Sequence, residues 1–345
     1  MLIKLERQKL TIGQLKSGKI NENNLNDHES RTLNLINIWI NNPDHVSIKT
    51  SGSTGKPKVI SLSSEVISYS ASRSLEFIDP NNEYSSALLC LNPEHIGGLM
   101  VIIRALLRNL DLTIISPSSK LDLLPSGKYD LVSMVPLQLK SLLEQNPNKL
   151  QQFKTILLGG GPIELHDEKM IQKSPSIKVY HTYGMTETAS HIALRNISNG
   201  EQSFTTLGDV KIDMDDRDCL KIKGTVTNHR WLQTNDVVKI IDQSRFEWIG
   251  RADFVINSGG IKIHPEMIEA SLESQIKLPF FVAGLKDDRL GERLVLLVES
   301  DKELMIDFSR LGTYEKPKEI IFLPNFSFTP TGKLDRKKTL QSIKS

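Results

Sequence analysis

From residue 84 to residue 184 the sequence alternates short, continuous apolar runs with amphipathic stretches. "YSSALLCLN", "LDLTIISP", "YDLVSMVP", "FKTILLGGG" and "IKVYHTYG" read as strands, and "GGLMVIIRALLRN" and "LQLKSLLEQ" between them as helices. Strands that are apolar on both faces need cover on both faces. With helices between them they pair in parallel, so this run predicts a mainly parallel sheet covered by helices.

Near residue 205 the texture changes to shorter, turn-rich runs ("CLKIKG", "VVKII", "FEWIG"), which predict a compact antiparallel β section. After Gly250 and Arg251 a third texture follows, with helix "PEMIEASLESQI" and strands "PFFVAGL", "ERLVLLVES" and "KEIIFLPN". The expected organisation is α/β, with a large N-terminal domain over 1–252 and a small, mobile α+β domain over 253–345. A chain of 345 residues is long enough for two such cores.

Charge excludes some partners. The formal net charge is +2, and no basic stripe is interleaved with aromatics, which argues against nucleic acid. The tail "KLDRKKTLQSIKS" is locally basic and reads as a solvated end. Cys90, inside "SALLCLN", reads as a core residue, and two distant cysteines suggest neither a disulfide framework nor a zinc site. "MLIKLERQKLTIG" lacks the apolar stretch of a signal peptide, and no window reaches membrane-span length, so a cytoplasmic location without membrane insertion is expected.

Ahead of the alternating region lies "TSGSTGKPK" (50–58), after a predicted strand and before a helix capped by serine in "SSEVISYSASRSLEFI". Glycines, hydroxyls and lysines at this density suit phosphate. It is not a Walker loop, since only two residues separate Gly52 from Gly55-Lys56 and Pro57 stands where Ser or Thr would hold magnesium. Gly52 and Gly55 allow close backbone approach, Thr50, Ser51, Ser53 and Thr54 offer hydroxyls, and Lys56 and Lys58 offer charge.

Four further stretches follow in order: "LLGGGPI" (157–163), "YHTYGMTETASH" (180–191), the run from "TND" to "HPEMIE" (234–269) and "TPTGKLDR" (329–336). Together the five resemble the motifs of the adenylate-forming superfamily, which includes the acyl- and aryl-CoA ligases. The resemblance implies that a carboxylate attacks the α-phosphorus of ATP, expels pyrophosphate, and then passes as an acyl group to coenzyme A. It implies that loop 50–58 clasps the β- and γ-phosphates and that Gly160, Gly161 and Pro162 help wall the adenine pocket. Tyr183, followed by Gly184, would stack on adenine, Thr186 would contact the α-phosphate, and Glu187 would help hold Mg²⁺. Asp236 and Arg251 would grip the ribose. Lys333 would bridge carboxylate and α-phosphate, favouring the transition state over the ground state. Gly259 and Gly260 would let the pantetheine arm pass.

Two departures stand out. Asn235 replaces the glycine usual before the ribose aspartate, at a turn where asparagine tolerates positive φ. Phe254 follows the hinge aspartate Asp253, where relatives carry a polar residue.

"LNPEHIGGLMVIIRAL" and "GMTETASHIALR" resemble the o-succinylbenzoate-CoA ligases of menaquinone biosynthesis. That places His95 and Gly98 at the acid pocket, with His191 and Arg195 available to neutralise a second carboxylate. Only about fifty residues precede the phosphate loop, so one pocket wall is thin or is supplied by a second subunit in a homodimer. Another aryl or short acyl acid-CoA ligase, and a non-catalytic adenylate-binding protein, remain open alternatives.

Overall fold

The computed structural model describes residues 1–50, 58–121, 124–174, 176–328 and 334–343. The chain starts with the antiparallel pair β1 (Leu2–Lys4) and β2 (Lys9–Thr11), then helices α1 (Ile12–Lys16) and α2 (Asp27–Ile40). Both helices begin at capping boxes, Thr11 with Gln14 and Asn26 with Glu29, which satisfy backbone donors reciprocally. An antiparallel hairpin follows, β3 (His45–Thr50) and β4 (Lys58–Ser63), paired to its last register, Thr50 with Lys58. Ser63 then caps α3 (Ser64–Ile78) by accepting from the Val66 N–H.

The alternating region runs β5 (Ser86–Leu89), α4 (Ile96–Leu107), β6 (Asp111–Ile114), β7 (Tyr129–Met134), α5 (Pro136–Gln145), β8 (Phe153–Leu158), α6 (Leu165–Gln172) and β9 (Lys178–Met185). Neighbouring strands from β6 through β5, β7, β8 and β9 pair in parallel, as the apolar runs predict. Burial is two-sided: Ala87 and Leu89 join one core cluster, while Leu88 and Cys90 join another on the opposite face.

The antiparallel strands β10 (Ser190–Asn196), β11 (Phe204–Thr206), β12 (Lys211–Met214), β13 (Cys219–Lys223), β14 (Leu232–Ile240) and β15 (Arg245–Arg251) are not a separate section. They extend the same sheet, whose order is β12-β13-β14-β15-β11-β10-β9-β8-β7-β5-β6-β1-β2.

Beyond the short turn Ala252–Phe254, a second sheet forms from β16 (Ile256–Ser258), β17 (Ile261–Ile263), β18 (Phe280–Asp287), β19 (Gly291–Glu299) and β20 (Glu319–Leu323), with α7 (Pro265–Leu272) against it. The basic tail forms a last helix, α8 (Arg336–Ile343). It corrects the expectation of a solvated end: Leu334, Leu340 and Ile343 pack on the Phe281–Phe326 cluster, and Thr339 is buried. Among the described residues no helix is long and apolar enough to cross a membrane, and both cysteines are buried and free.

Candidate functional site

Three side chains from distant stretches converge at the antiparallel end of the large sheet. Asp236 and Arg251 are direct partners across β14 and β15, with Arg251 Nη1 3.6 Å from Asp236 Oδ1. The Tyr183 phenol donates to Asp236 Oδ2 at 2.7 Å. The Trp248 indole N–H donates to Oδ1 at 3.4 Å, a contact that sequence patterning does not flag. Burial, then the adjoining Asp236 carboxylate, pushes the Tyr183 hydroxyl far above its ordinary value, so the phenol stays a donor. The Tyr183 ring rests on Phe204 and Phe246, at 5.8 and 5.1 Å between centroids.

Both departures from the family pattern have partners. Asn235 lies in extended β14 and is not among the positive-φ residues, so it does not form the turn expected of it. Its amide donates to Asp253 Oδ1 at 3.2 Å, tying the strand to the turn after β15, and Asp253 also receives Arg251 Nη2 at 2.5 Å. Phe254 lies under the Arg336 guanidinium, 4.8 Å from its ring centroid, a cation–π contact of the last helix with the turn Ala252–Phe254.

After Tyr183 the chain turns sharply. Gly184 has no room for a side chain, because a Cβ would lie 2.2 Å from the Ser190 carbonyl oxygen and 2.4 Å from the His191 Cα. The turn Thr186–Thr188 exits through Ala189 and Ser190 at φ +53° and +125°, two consecutive non-glycine residues in a region that L side chains rarely adopt. Thr188 holds the turn, its hydroxyl donating to the Ser190 carbonyl at 2.7 Å and accepting from the Met185 N–H at 3.2 Å. This geometry leaves Glu187 exposed on an open cleft that it lines with Ser61, Ser63, Arg230 and Trp231. Glu187 makes no ion pair among the described residues, which hold no cluster of three metal-ligating side chains. One accessible carboxylate fits a magnesium ion that takes its other ligands from phosphate and water, rather than a pre-built cage.

The β3–β4 hairpin, paired as far as Thr50 and Lys58, brackets the phosphate-type loop, and its Ser61 and Ser63 line that cleft. The side chains of Thr50 and Lys58, and residues 51–57 with Ser51, Gly52, Ser53, Thr54, Gly55 and Lys56, lie outside the described residues, as does Lys333.

The turn after β8 leans on β9. Gly160 adopts φ +92°, and a Cβ on Gly159 would meet Thr182 Oγ1 at 2.4 Å. The Gly161 carbonyl lies 3.2 Å from His181 Nε2, while Pro162 is exposed. Sequence patterning does not single out His181, although it precedes Tyr183 by two residues and so shares its strand face.

The acid-pocket residues are placed differently from expectation. Arg195 is buried, its guanidinium paired with Glu168 through both terminal nitrogens, and it also bonds the Glu201 carbonyl and His181 Nδ1. Its charge is compensated internally, so it does not serve a second carboxylate. His191 is buried with Nε2 2.9 Å from Ser74 Oγ; burial, then the nearby Arg104, holds its pKa well down, and a neutral ring supplies no charge. Gly98 is needed for packing, since a Cβ would lie 2.2 Å from the Asn92 carbonyl oxygen. His95 is exposed at the N-cap of α4. Gly259 and Gly260, at φ +60° and +83°, close the β16–β17 hairpin in the double left-handed conformation that favours glycine.

Residues 14–244 match a family model described as AMP-binding enzyme. A 2-succinylbenzoate–CoA ligase of Listeria monocytogenes is 28% identical over 337 residues, covering 88% of this chain and 71% of its own. A namesake from Lactococcus lactis is 26% identical, covering 94% and 80%. Among solved structures, an acyl-CoA synthetase (AMP-forming)/AMP-acid ligase II-like protein of Dyadobacter fermentans is 33% identical, with TM-score 0.63, over 95% of this chain and 97% of that one. The o-succinylbenzoate CoA synthetase of Bacillus subtilis, in complex with its acyl-adenylate, has TM-score 0.74 at 24% identity, over 85% and 68%, and shares the fold.

Proposed function

The chain belongs to the AMP-binding enzyme family, and on that premise we propose that it is an ATP-dependent acid–CoA ligase working through an acyl-adenylate, with o-succinylbenzoate as its acid. The observation that carries the reading is the meeting of Tyr183, Asp236 and Arg251 beside the Glu187 turn. An aromatic ring, a carboxylate held by donors and a cation are what a nucleoside requires.

The Asp236 carboxylate accepts the ribose hydroxyls, with Arg251 beside it holding it in place. Tyr183, backed by Phe204 and Phe246, offers a ring face to the base. The backbone of loop 50–58 and its lysines receive the phosphates, and Thr186 donates to the α-phosphate. Glu187 would supply one carboxylate ligand to a magnesium ion, which when bound would supply positive charge to the phosphates. Lys333 stands between carboxylate and α-phosphorus, where a fixed cation stabilises charge that develops in the transition state. The acyl group then passes to the thiol of coenzyme A, with AMP released. Two buried free thiols fit a reducing cytoplasm.

A second reading, a monocarboxylic aryl or short acyl acid, is favoured by the internal pairing of Arg195 with Glu168. Mass spectrometry of products separates the two. With ATP, magnesium and coenzyme A, the proposal expects o-succinylbenzoyl-CoA and AMP. Thioester from benzoate or a short fatty acid alone supports the second reading, and no thioester from any acid contradicts both.

A further inference from the structure

His181 is enclosed by groups that fix its chemistry completely. It sits on β9 opposite Arg195 of β10, and Arg195 Nη2 is 3.2 Å from its Nδ1. A guanidinium only donates, so Nδ1 carries the lone pair and Nε2 carries the proton. That proton points at the Gly161 carbonyl oxygen, 3.2 Å away. Glu168 of α6 anchors Arg195 from behind, and the Phe204 ring lies 5.2 Å from the imidazole and also beneath Tyr183. A carboxylate, a guanidinium, an imidazole and a backbone carbonyl thus form one chain of hydrogen bonds from helix α6 to the glycine turn after β8.

We propose that His181 is a positioning residue for the nucleotide base, acting through the Gly161 carbonyl to fix the turn that walls the pocket beside Tyr183. The inference rests on the reading of that pocket as a nucleotide site. Sequence position supports it independently: His181 and Tyr183 stand side by side on one strand face over the same phenylalanine, so an error in the turn is felt where the Tyr183 ring lies. Gly160, at φ +92°, gives the turn freedom that a hydrogen bond must restrict. Burial first, and then the Arg195 charge, lowers the His181 pKa to about 3, so the ring keeps one tautomer and is not a proton carrier.

The test compares wild type with His181→Gln and His181→Leu. Glutamine can present an oxygen to Arg195 and an N–H to Gly161, as this tautomer does; leucine can do neither. ATP binding is measured by calorimetry, and KM for ATP and for acid by pyrophosphate exchange. The expected result is ATP affinity down by about tenfold in H181L, KM for the acid nearly unchanged, and H181Q close to wild type. Equal ATP affinity in H181L and wild type overturns the inference while leaving the ligase reading intact, as does equal damage in both variants. A wild type that binds no ATP removes the underlying reading and this inference with it.

If H181L does not fold, the wild type carries the test through ¹⁵N-histidine spectra. Nε2 should be the protonated nitrogen from about pH 5 to about pH 9, and ATP should shift both His181 signals. Binding of ATP that leaves them unmoved overturns the proposal.

Discussion

The phenol of Tyr183 donates to the carboxylate of Asp236 at 2.7 Å, although β15, β11 and β10 lie between their strands in the sheet. Strands in a flat sheet stand ~4.8 Å apart, so four steps would separate these residues by ~19 Å. The contact therefore requires the antiparallel end to curl until β14 returns toward β9, around the enclosed Phe204 and Phe246. The same curl that buries those rings assembles the candidate nucleoside site.

Removing that phenol tests the link between fold and site. Tyr183→Phe keeps the ring and loses a hydrogen bond to a charged acceptor, worth about 1.5–3 kcal/mol. Urea unfolding should show a loss in that range, reduced by whatever the Trp248 and Arg251 contacts retain. Asp236→Ala should weaken ATP binding more than Tyr183→Phe does, because it deletes the group proposed to hold the ribose.

Gly184→Ala should be severely destabilising. The new Cβ would lie 2.2 Å from a backbone oxygen, and no flexible side chain is there to move aside. A loss of more than about 3 kcal/mol, or no folded protein, is expected. Circular dichroism and thermal melting against wild type decide it.

Two buried arginines make opposite predictions. Arg195 is paired with Glu168, so Glu168→Ala leaves a stranded cation and should cost about 3–5 kcal/mol. Arg104 is 1% exposed, its Nε and Nη2 lack hydrogen-bond partners, and burial alone lowers its pKa to about 9. Arg104→Met should therefore stabilise the fold, because a packed apolar side chain removes the cost of burying an uncompensated charge. Denaturant midpoints measure both, and a destabilised R104M would mean that Arg104 has a partner worth more than its desolvation cost.

The contact between the two sheets' helices should depend on pH. Glu273, beyond α7, accepts the Leu165 N–H at the start of α6 at 2.7 Å. Burial raises its pKa to about 7, aided by the carboxylates of Glu164 and Asp167 and opposed by the Leu165 hydrogen bond and Lys140. An acid raised on folding is more protonated in the folded chain. Its contribution is complete below the unfolded value of about 4.3 and is lost as pH rises through the folded one. Stability should fall between about pH 4 and about pH 7, and Glu273→Gln should flatten that slope in urea titrations.

Sequence patterning reached what depends on local rules. The strands from 84 to 184 and helices α4 and α5 follow from apolar runs long enough to show their period, and the start of α3 from the Ser63 cap. It did not reach β1, β2 and α1, which are too short to show one, nor α6, whose "LHDEKMIQ" is mostly polar. Arg195 shows the limit most plainly. Its chain position suits a pocket, but its partner Glu168 lies 27 residues away on another element, and only the packed structure shows that the charge is already taken. Asn235 is similar: its sequence position suggests a turn, whereas in β14 it ties the strand to Asp253.

The most direct test of the central claim is exchange of labelled pyrophosphate into ATP with o-succinylbenzoate, in wild type and Lys333→Ala. The account predicts acid-dependent exchange in the wild type and a loss of about a hundredfold or more in the variant, the scale of removing one electrostatic donor to a transition state. ATP binding without exchange for any carboxylic acid would contradict it, and would leave a chain that holds the nucleotide but does not activate an acid.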